Sequence, residues 1–464
     1  MKRHNLFKVV MITVFVAALL SWLFPVTYLS SNSGQLVEEA RDQVGAFDLM
    51  TYLGVAIQYF SHVAIYILTI GGFYGLVFKL PAYRNLIDKM VKVFDGKEWL
   101  FVGIIIVLFG VGSAIAGLSL PVLFFFPFVI AVLLALGYDR ITAALVTAGS
   151  TVVGLIGSVF NVNNTYGFDM VLGTKPGDNW KFKGLLLLIC LAILFGYTIY
   201  YASKHKGSKK EEKLFVPKPT QYKREKIWPI VVVIDGLFVL LALAFMPWST
   251  FGVTAFTDLH DKLSKFAIGG FPILEKLFGL GNAFGSWTLV EGSVVIILAS
   301  ILVAFVYKVR LNDFVSAFMD GCERALKPAV LVILMYTVLV TATYVPTLLA
   351  ICKPILGSKI GVIQSGISVF IYSVFSVESY YVGSGLLPYL ETLTASGFSA
   401  AQQAGLAIVS QGFYGLAMLI APTSVVVMAT LAYLNIPYHK WLKNVCILFA
   451  ILMVVVVIFA MIKM

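Results

Sequence analysis

The sequence predicts an all-α membrane protein that crosses the bilayer many times and contains two inverted repeats. Three observations support this fold class: the composition is strongly apolar, basic residues concentrate in particular loops, and two regions carry matching interrupted apolar segments. Hydrophobic residues make up 60% of the 464 residues and charged residues 12%, whereas about a quarter of a typical soluble domain is charged. A water-soluble fold could not bury this much apolar surface.

Apolar segments near the roughly 20 residues needed to cross a hydrocarbon core recur along the chain. The amphipathic segments 82–98, 255–281 and 311–326 fit helices that lie at the membrane interface. We predict nine spanning helices, at 7–27, 61–80, 140–160, 183–203, 228–246, 289–309, 328–351, 402–421 and 441–463. Because nine is odd, the two ends of the chain are expected on opposite sides of the bilayer.

The orientation of these helices is predicted by the charges of the loops. The linker 204–227 carries nine lysines and arginines against three glutamates, and short loops rich in these basic residues lie on the cytoplasmic side. The loop after the first helix is instead acidic. We therefore expect a multi-pass bacterial inner-membrane protein with a cytoplasmic N-terminus and an external C-terminus. The formal net charge of +11 mostly reflects the basic loops, so we do not expect nucleic acid as a partner.

Two apolar regions, 99–137 and 361–394, do not fit simple crossings. Each has two shorter apolar arms around a small and polar centre, Ser113 to Pro121 in the first and Ser376 to Gly385 in the second. Backbone broken by glycine and proline at membrane depth is tolerated only where protein or a water-filled cavity surrounds it. We therefore predict two re-entrant helical hairpins, which dip into the membrane and return to the same side.

After each hairpin comes a helix that the sequence interrupts. The helix 140–165 breaks at Asn161–Thr165, and the helix 402–425 breaks at Ala421–Ser424. The order helix, helix, hairpin, broken helix, helix therefore occurs twice, and the extra crossing 228–246 inverts the second copy. The chain divides into a first repeat, a cytoplasmic linker, a connecting helix with an external segment, and a second repeat, at 1–203, 204–227, 228–288 and 289–464.

Paired interrupted segments in two inverted halves indicate a binding site near the middle of the membrane. A half-helix that ends there exposes N–H groups that suit a carboxylate, or carbonyl oxygens that suit a cation. We predict that small and polar residues of the hairpin centres and helix breaks bind a small substrate. They are Ser113, Gly117, Ser119, Asn161, Asn163, Asn164, Thr165, Glu378, Ser379, Ser384, Thr423 and Ser424. A coupling cation, Na+ or H+, is expected near Gly117, Asn161, Ser379 and Pro422.

Each of these residues also has a structural interpretation. Serine and threonine in membrane helices often hydrogen-bond locally or join helices, and glycine and proline could merely loosen the packing of ordinary helices. Glu378 is the most informative position, because a carboxyl inside an apolar hairpin is costly unless it is paired, protonated or bound to a cation. It could bind a coupling ion, carry a proton, hold an amino group, or be solvated at a hairpin tip that reaches water.

The sequence carries no motif of an enzyme or of an ATP-driven pump. It has no nucleotide-binding loop and no His-Glu-x-x-His motif, and its five histidines are scattered. The four cysteines lack the spacing of a metal site or a disulfide framework, so we expect no cofactor. A membrane scaffold or lipid-handling protein without small-solute transport is the alternative to a carrier.

Several motifs carry a family resemblance. They are Trp22-Leu23-Phe24-Pro25-Val26, Gly71-Gly72-Phe73, Ala421-Pro422-Thr423-Ser424 and Asn435-Ile436-Pro437-Tyr438-His439-Lys440-Trp441-Leu442. Through these motifs the chain resembles, over almost its whole length, the YfcC-type branch of the C4-dicarboxylate anaerobic carrier-like family, in the ion transporter superfamily. The resemblance implies a homodimer in which a transport domain with two re-entrant hairpins moves against a scaffold domain, an elevator-type mechanism. Members are associated with dicarboxylates, with arginine and ornithine exchange, and with other amino acids or peptides.

The chain departs from the family pattern at its hairpin centres. Many YfcC-type chains carry acidic residues in the first centre, where this one has Gly117-Leu118-Ser119-Leu120. The Ser-Asn-Thr motif of dicarboxylate carriers in the wider superfamily is missing from both centres, and Glu378 in the second is a candidate to compensate for the lost acidic residues. We expect a secondary active transporter of a small organic solute, an amino acid or (di)carboxylate, working by ion-coupled symport or exchange.

Overall fold

The computed structural model describes residues 5–30, 35–205, 225–279, 281–357, 360–394 and 397–463, and of Asn163 and Phe278 only the backbone. The predicted linker 204–227 lies largely outside these ranges. The described chain is mostly helical, which confirms the all-α prediction. Its helices are α1 (Asn5–Leu23), α2 (Ala46–Val77), α3 (Pro81–Phe94), α4 (Glu98–Ile115), α5 (Phe126–Ala135), α6 (Arg140–Ala144), α7 (Ser150–Ile156), α8 (Val162–Leu172), α9 (Trp180–Lys204), α10 (Trp228–Phe245), α11 (Ala255–Lys265), α12 (Ile273–Phe278), α13 (Leu289–Val306), α14 (Leu311–Tyr344), α15 (Leu348–Leu356), α16 (Val362–Ser376), α17 (Ser379–Thr392), α18 (Ala400–Ile420), α19 (Val425–Leu434) and α20 (Tyr438–Lys463).

Nine helical segments of the described ranges are long and apolar enough to cross a membrane. The number agrees with the prediction, but the membership differs. α4, one arm of the first hairpin, is long enough by itself, whereas the crossing predicted at 140–160 is shorter. That segment is divided into α6, a π-helical turn at Leu145–Gly149 and α7, and it ends at Ile156.

The predicted helices 61–80 and 328–351 have different bounds in the structure. α2 begins at Ala46 and ends at Val77. α14 ends at Tyr344 and begins at Leu311, so it includes the segment 311–326 for which the sequence predicts a separate interfacial helix. Pro328 lies inside α14 without ending it, because neighbouring helices of a bundle can satisfy the carbonyl that a proline leaves free.

The predicted first helix, 7–27, ends early, at Leu23. Pro25 follows, and helices usually end at or before the residue that precedes a proline. Val26–Leu29 forms a strand, β1, which pairs antiparallel with β2 (Leu36–Glu39) so that Val26 lies opposite Glu39. The apolar pattern of the sequence does not predict a strand in this loop.

Both predicted hairpins are present. In the first, α4 leads through a turn and a 3-10 segment, Pro121–Phe125, into α5. In the second, only two residues, Val377 and Glu378, separate α16 from α17. Both hairpin centres therefore lie where the sequence places a small and polar stretch between apolar arms.

Both interrupted helices are present as well, with one correction. α7 ends at Ile156 and α8 begins at Val162, so the first break covers 157–161. Asn164 and Thr165, which the sequence places in the break, belong to the first turns of α8. The reason is local: the Asn161 side chain accepts a hydrogen bond from the Asn164 N–H at 3.1 Å and caps the new helix. The second break, 421–424, lies where predicted.

α2 and α14 cross in close contact. A Cβ added at Gly71 would lie 2.6 Å from the carbonyl oxygen of Gly321, and one added at Gly75 would lie 2.6 Å from the Cα of Gly321. Small residues of this kind allow membrane helices to approach backbone to backbone. α1 packs against α14, and α13 packs against α2. The first helix of each repeat therefore lies on the second helix of the other, as expected of two inverted copies.

Candidate functional site

A cavity of about 370 Å³ lies where the two hairpin tips and the two broken helices meet. α2 and α14 contribute one residue each, so the cavity lies between the crossing helices and the hairpins. Ligand pockets of small molecules commonly have volumes of about 300 Å³ or more. The glycine, polar and aromatic residues other than phenylalanine in its lining are His62, Gly117, Ser119, Asn164, Trp287, Thr288, Tyr336, Glu378, Ser379, Tyr380, Tyr414 and Ser424.

The tip of the second hairpin has an unusual backbone. Val377 has a φ of +53°, in the left-handed region that β-branched residues avoid. The N–H of Glu378 donates across this turn to the carbonyl oxygen of Ser376. The hydroxyl of Tyr414, on α18, donates to the Val377 carbonyl oxygen at 2.9 Å. Strained backbone persists only where the surrounding structure holds it, and here α18 supplies that support.

This turn places the Glu378 side chain in the cavity lining. The hydroxyl of Tyr336 donates to Glu378 Oε1 at 2.8 Å, and the Tyr336 ring stacks on Phe60 of α2 with 4.1 Å between centroids. His62 lies in the same lining. Among the described lining residues, Glu378 is the only acidic one, and none is lysine or arginine. The cavity is therefore built around one carboxylate, with His62 as its one basic side chain.

Three half-helices begin at the cavity. The first two residues of α17 and of α19 line it, and so does Asn164 in the first turn of α8. The N-terminus of a helix presents N–H groups with partial positive charge. Glu378 and Ser424, which precede α17 and α19, make no side-chain capping hydrogen bond. The side chains of these two N-cap residues therefore do not compete with an anionic group for the first N–H groups.

The tip of the first hairpin is neutral. Gly117 has a φ of +67°, which glycine adopts without strain, and the Leu118 N–H donates to the Gly112 carbonyl oxygen at 3.3 Å. The hydroxyl of Tyr66, on α2, donates to the carbonyl oxygen of Pro121 at 2.7 Å. Each hairpin therefore receives one tyrosine hydrogen bond from the crossing helices, from Tyr66 in the first case and from Tyr336 in the second.

Buried amides join the first break to the first hairpin. Asn161 Nδ2 donates to the Ser113 carbonyl oxygen at 2.7 Å, and Asn164 Nδ2 donates to Ser158 Oγ at 2.8 Å. Asn161 and Ser113 are fully buried and do not line the cavity. The Asn161 amide thus satisfies two backbone groups at helix ends, the Ser113 carbonyl of α4 and the Asn164 N–H of α8, as burial in a membrane protein requires.

The second break is stabilised by neighbouring side chains from two directions. The Thr423 hydroxyl donates to the Val374 carbonyl oxygen of the second hairpin at 2.6 Å. Trp441 Nε1, on α20, donates to the carbonyl oxygen of Leu419 at 2.9 Å, and the Tyr438 hydroxyl donates to the next carbonyl oxygen along α18. The last turn of α18 is thus completed by aromatic donors from the following helix.

The predicted site residues fall into several groups. Four, Ser113, Asn161, Thr165 and Thr423, are buried behind the cavity wall. The side chain of Asn163 lies outside the described residues. Half of the predicted set, which the sequence expects to bind substrate, lines the cavity: Gly117, Ser119, Asn164, Glu378, Ser379 and Ser424.

Ser384 lies apart from this cavity. It lines a second, larger space of about 900 Å³ between the second hairpin, the end of α14 and the β1–β2 strands, and its hydroxyl donates to the Tyr380 carbonyl oxygen at 2.9 Å. Of the positions predicted near a coupling cation, Gly117 and Ser379 line the first cavity, whereas Asn161 and Pro422 do not. A bound cation stays a prediction.

Four prominent lining residues are absent from the predicted set: His62, Trp287, Tyr336 and Tyr414. Three of them are aromatic residues within or next to apolar segments, where such residues are common, so periodicity gave no signal. His62 was detectable, because it is the one histidine at the start of a predicted spanning helix. For the three aromatic residues, the position at the cavity follows only from which helices meet.

Comparison with known families gives a match over nearly the full length. The sequence model of the C4-dicarboxylate anaerobic carrier family, DcuC, matches residues 5–464. A protein of Escherichia coli (strain K12) named "Putative basic amino acid antiporter YfcC" is 24% identical over 399 residues, which cover 82% of this chain and 73% of that protein.

Two further similarities were found. An uncharacterized protein of Haemophilus influenzae is 23% identical over 399 residues, covering 82% of this chain and 71% of that protein. The crystal structure of the Alcanivorax borkumensis YdaH transporter, described as having an unusual topology, superposes with a TM-score of 0.41 at 11% identity. That superposition covers 98% of this chain and 97% of the other.

Proposed function

The chain belongs to the C4-dicarboxylate anaerobic carrier family, whose members are membrane transporters, and we propose that it is a secondary active transporter of an amino acid with a cationic side chain. The observation that carries this substrate class is the charge of the cavity, with Glu378 and no lysine or arginine among its described lining residues. The name of the Escherichia coli relative agrees with a basic substrate and with exchange as the mode of coupling.

A cationic group of the substrate would lie next to Glu378. A carboxylate at membrane depth is costly unless it is paired, and Tyr336 supplies a single neutral donor. An ammonium or guanidinium group would add charge-assisted hydrogen bonds, which are stronger. A C4 dicarboxylate would instead bring two negative charges beside Glu378, and like charges repel strongly in a site of low dielectric constant.

The α-carboxylate of the substrate would bind at the helix N-termini. Ser379 and Tyr380 begin α17, and Val425 and Val426 begin α19. Their N–H groups and the Ser379 and Ser424 hydroxyls suit a carboxylate, as do half-helix ends at the midplane of other carriers. The rings of Tyr380, Tyr414 and Trp287 offer faces for a cationic side chain.

Alternating access would follow from movement of the hairpins and broken helices against the crossing helices. In this elevator-type scheme α1, α2, α13 and α14 form the scaffold of a homodimer, and the hydrogen bonds from Tyr66 and Tyr336 are made in one state and exchanged in another. The cytoplasmic N-terminus, the external C-terminus and the bacterial inner membrane complete the proposal, together with coupling to Na+, H+ or a counter-substrate.

The test is uptake into liposomes that contain only the purified chain. The panel contains arginine, lysine, ornithine, alanine and succinate, each under an imposed Na+, H+ or counter-substrate gradient. We expect saturable uptake of the basic amino acids, fastest when the liposomes are loaded with another basic amino acid. Empty liposomes are the control.

Other outcomes select other functions. Saturable succinate uptake without uptake of basic amino acids would overturn the cationic substrate and favour the dicarboxylates after which the family is named. No uptake of any member of a broad amino-acid and carboxylate panel would favour a membrane scaffold or a lipid-handling protein.

A further inference from the structure

Lys183 is a buried cationic side chain that the proposed substrate site does not use. It lies in the first turn of α9 and is 2% exposed. It lines none of the cavities described above. A lysine buried in the membrane-embedded part of a protein is costly and commonly marks a functional position. Its neighbour Lys181, two residues earlier, is exposed, so the position of the helix end alone does not explain the burial.

The Lys183 ammonium lies beside the first helix break. Gln411, on α18, connects the two. With its amide oriented so that both ends are satisfied, the side-chain nitrogen donates to the Ser158 carbonyl oxygen at 3.0 Å and the side-chain oxygen accepts from Lys183 Nζ at 3.2 Å. A Cβ at Gly157 would lie 2.9 Å from the Cα of Leu187. The unwound backbone therefore lies directly on α9, one helical turn from Lys183.

Burial opposes the charge of Lys183, and several neighbouring groups attract it. α7 ends at Ile156, and the C-terminal end of a helix carries carbonyl oxygens with partial negative charge. The carboxylates whose charges act on Lys183 are those of Asp169, on α8, and Asp178, just before α9. Carbonyl, amide and carboxylate oxygens are the ligands that bind small cations in proteins.

The hydrogen bonding of Lys183 is incomplete. An ammonium group has three donors, and among the described residues Gln411 is the one acceptor that Lys183 reaches. Asp169 is buried; its Oδ1 accepts from the Thr174 hydroxyl at 2.6 Å, whereas its Oδ2 has no partner in the described part of the chain.

We propose that the Lys183 ammonium is a resident cation of the first helix break, and that it occupies the place where a half-helix carrier would bind a free coupling cation. Half-helix C-terminal ends and unwound carbonyls coordinate Na+ or H+ in such carriers. In this chain the positive charge is covalently attached, so the first break needs no free ion. The inference rests on the proposed transport function, because a coupling site has meaning only in a carrier.

The test measures the thermal stability of the purified chain without substrate, in choline chloride, NaCl and methylammonium chloride. Lys183→Ala removes the ammonium and leaves room for a small cation; Lys183→Met removes the charge and fills the space. We expect Lys183→Ala to be destabilised in choline and restored, saturably, by methylammonium or Na+. Lys183→Met should not be restored, and the control Lys181→Ala should behave as the wild type does.

Equal cation responses of the wild type and Lys183→Ala would overturn the inference, as would wild-type stability of Lys183→Ala in choline. If Lys183→Ala cannot be purified, Gln411→Glu replaces it. A resident cation predicts higher thermal stability for that variant, through a new ion pair, and lower stability would contradict the inference. These stability measurements need no substrate, so a negative result leaves the transport proposal untouched. Absent uptake by the wild type, together with restoration of Lys183→Ala by cations, would contradict only the transport proposal.

Discussion

The two helix breaks share a backbone outline and differ in chemistry. In the first, 157–161, the buried Asn161 amide bonds backbone groups at the ends of α4 and α8, and Lys183 lies alongside, joined to the break through Gln411. In the second, 421–424, a threonine hydroxyl and two aromatic donors of α20 do so, without a charged group in those contacts. The helix is therefore interrupted at corresponding places in the two copies, but different side chains form the hydrogen bonds at each break.

The two hairpin tips also differ in chemistry, and here the ionisable residue belongs to the second copy. The first is neutral and turns at Gly117, which adopts positive φ without strain. The second turns at Val377, where positive φ is strained, and presents Glu378. One buried lysine therefore belongs to the first half and one cavity carboxylate to the second. The two halves share a backbone outline and differ in their ionisable residues.

The largest expected effect is that of the charge at the second tip. Glu378→Gln keeps the size of the side chain and removes the charge, so we expect uptake of arginine to fall about 100-fold, as loss of one partner of a buried charge pair costs roughly 2–5 kcal/mol. Ser119→Ala at the first tip is the matched control, with a loss below about threefold. Equal losses in the two variants, measured as initial uptake rates in liposomes, would remove the distinction between the tips.

The next effect concerns packing at the first break. A Cβ at Gly157 would lie 2.9 Å from the Cα of Leu187, so Gly157→Ala should lower the free energy of unfolding by about 1–3 kcal/mol through overpacking. Gly184→Ala on the same helix α9 is the control, because a Cβ there meets nothing within 4 Å. Thermal unfolding in detergent measures both. The second break contains no glycine, and a tolerated Gly157→Ala would show that close packing does not distinguish the two breaks.

The smallest effect separates the two tyrosines that contact the hairpins. Tyr336→Phe removes a hydrogen bond to a carboxylate, and Tyr66→Phe one to a neutral carbonyl. Hydrogen bonds to charged groups contribute about 1.5–3 kcal/mol and neutral ones about 0.5–1.5 kcal/mol. We expect both variants to unfold at lower temperature and Tyr336→Phe to lose more. A larger loss for Tyr66→Phe would place the more important contact at the first hairpin.

Much of the fold was predictable because only a few backbone structures can be buried in a membrane. Long apolar segments must be helices, and the small and polar stretches around Ser113 and Ser376 had to be re-entrant. The bounds of α14 were not predictable in this way. Its first half carries charged residues and reads as an interfacial helix, and only its packing against α2 at Gly71 and Gly75 makes it one continuous helix.

The candidate site was predictable where a residue type conflicts with its surroundings. Glu378 was found because a carboxyl in an apolar hairpin has a cost that requires a reason. Tyr336 and Tyr414 create no such conflict in an apolar segment, so their contacts with the second hairpin follow only from long-range packing. Asn161 also conflicts with its apolar helix, but its role is structural. Its side chain caps α8 and donates to the Ser113 carbonyl oxygen, away from the cavity.

The central claim is that one carboxylate in the cavity selects a cationic substrate. Its most direct test compares the exchange of arginine and of citrulline, which has a similar shape and no side-chain charge, by the purified chain in arginine-loaded liposomes. The account predicts saturable arginine exchange and citrulline exchange at least about tenfold weaker, the equivalent of 1.4 kcal/mol. Equal exchange of the two, or exchange of succinate in place of arginine, would contradict it.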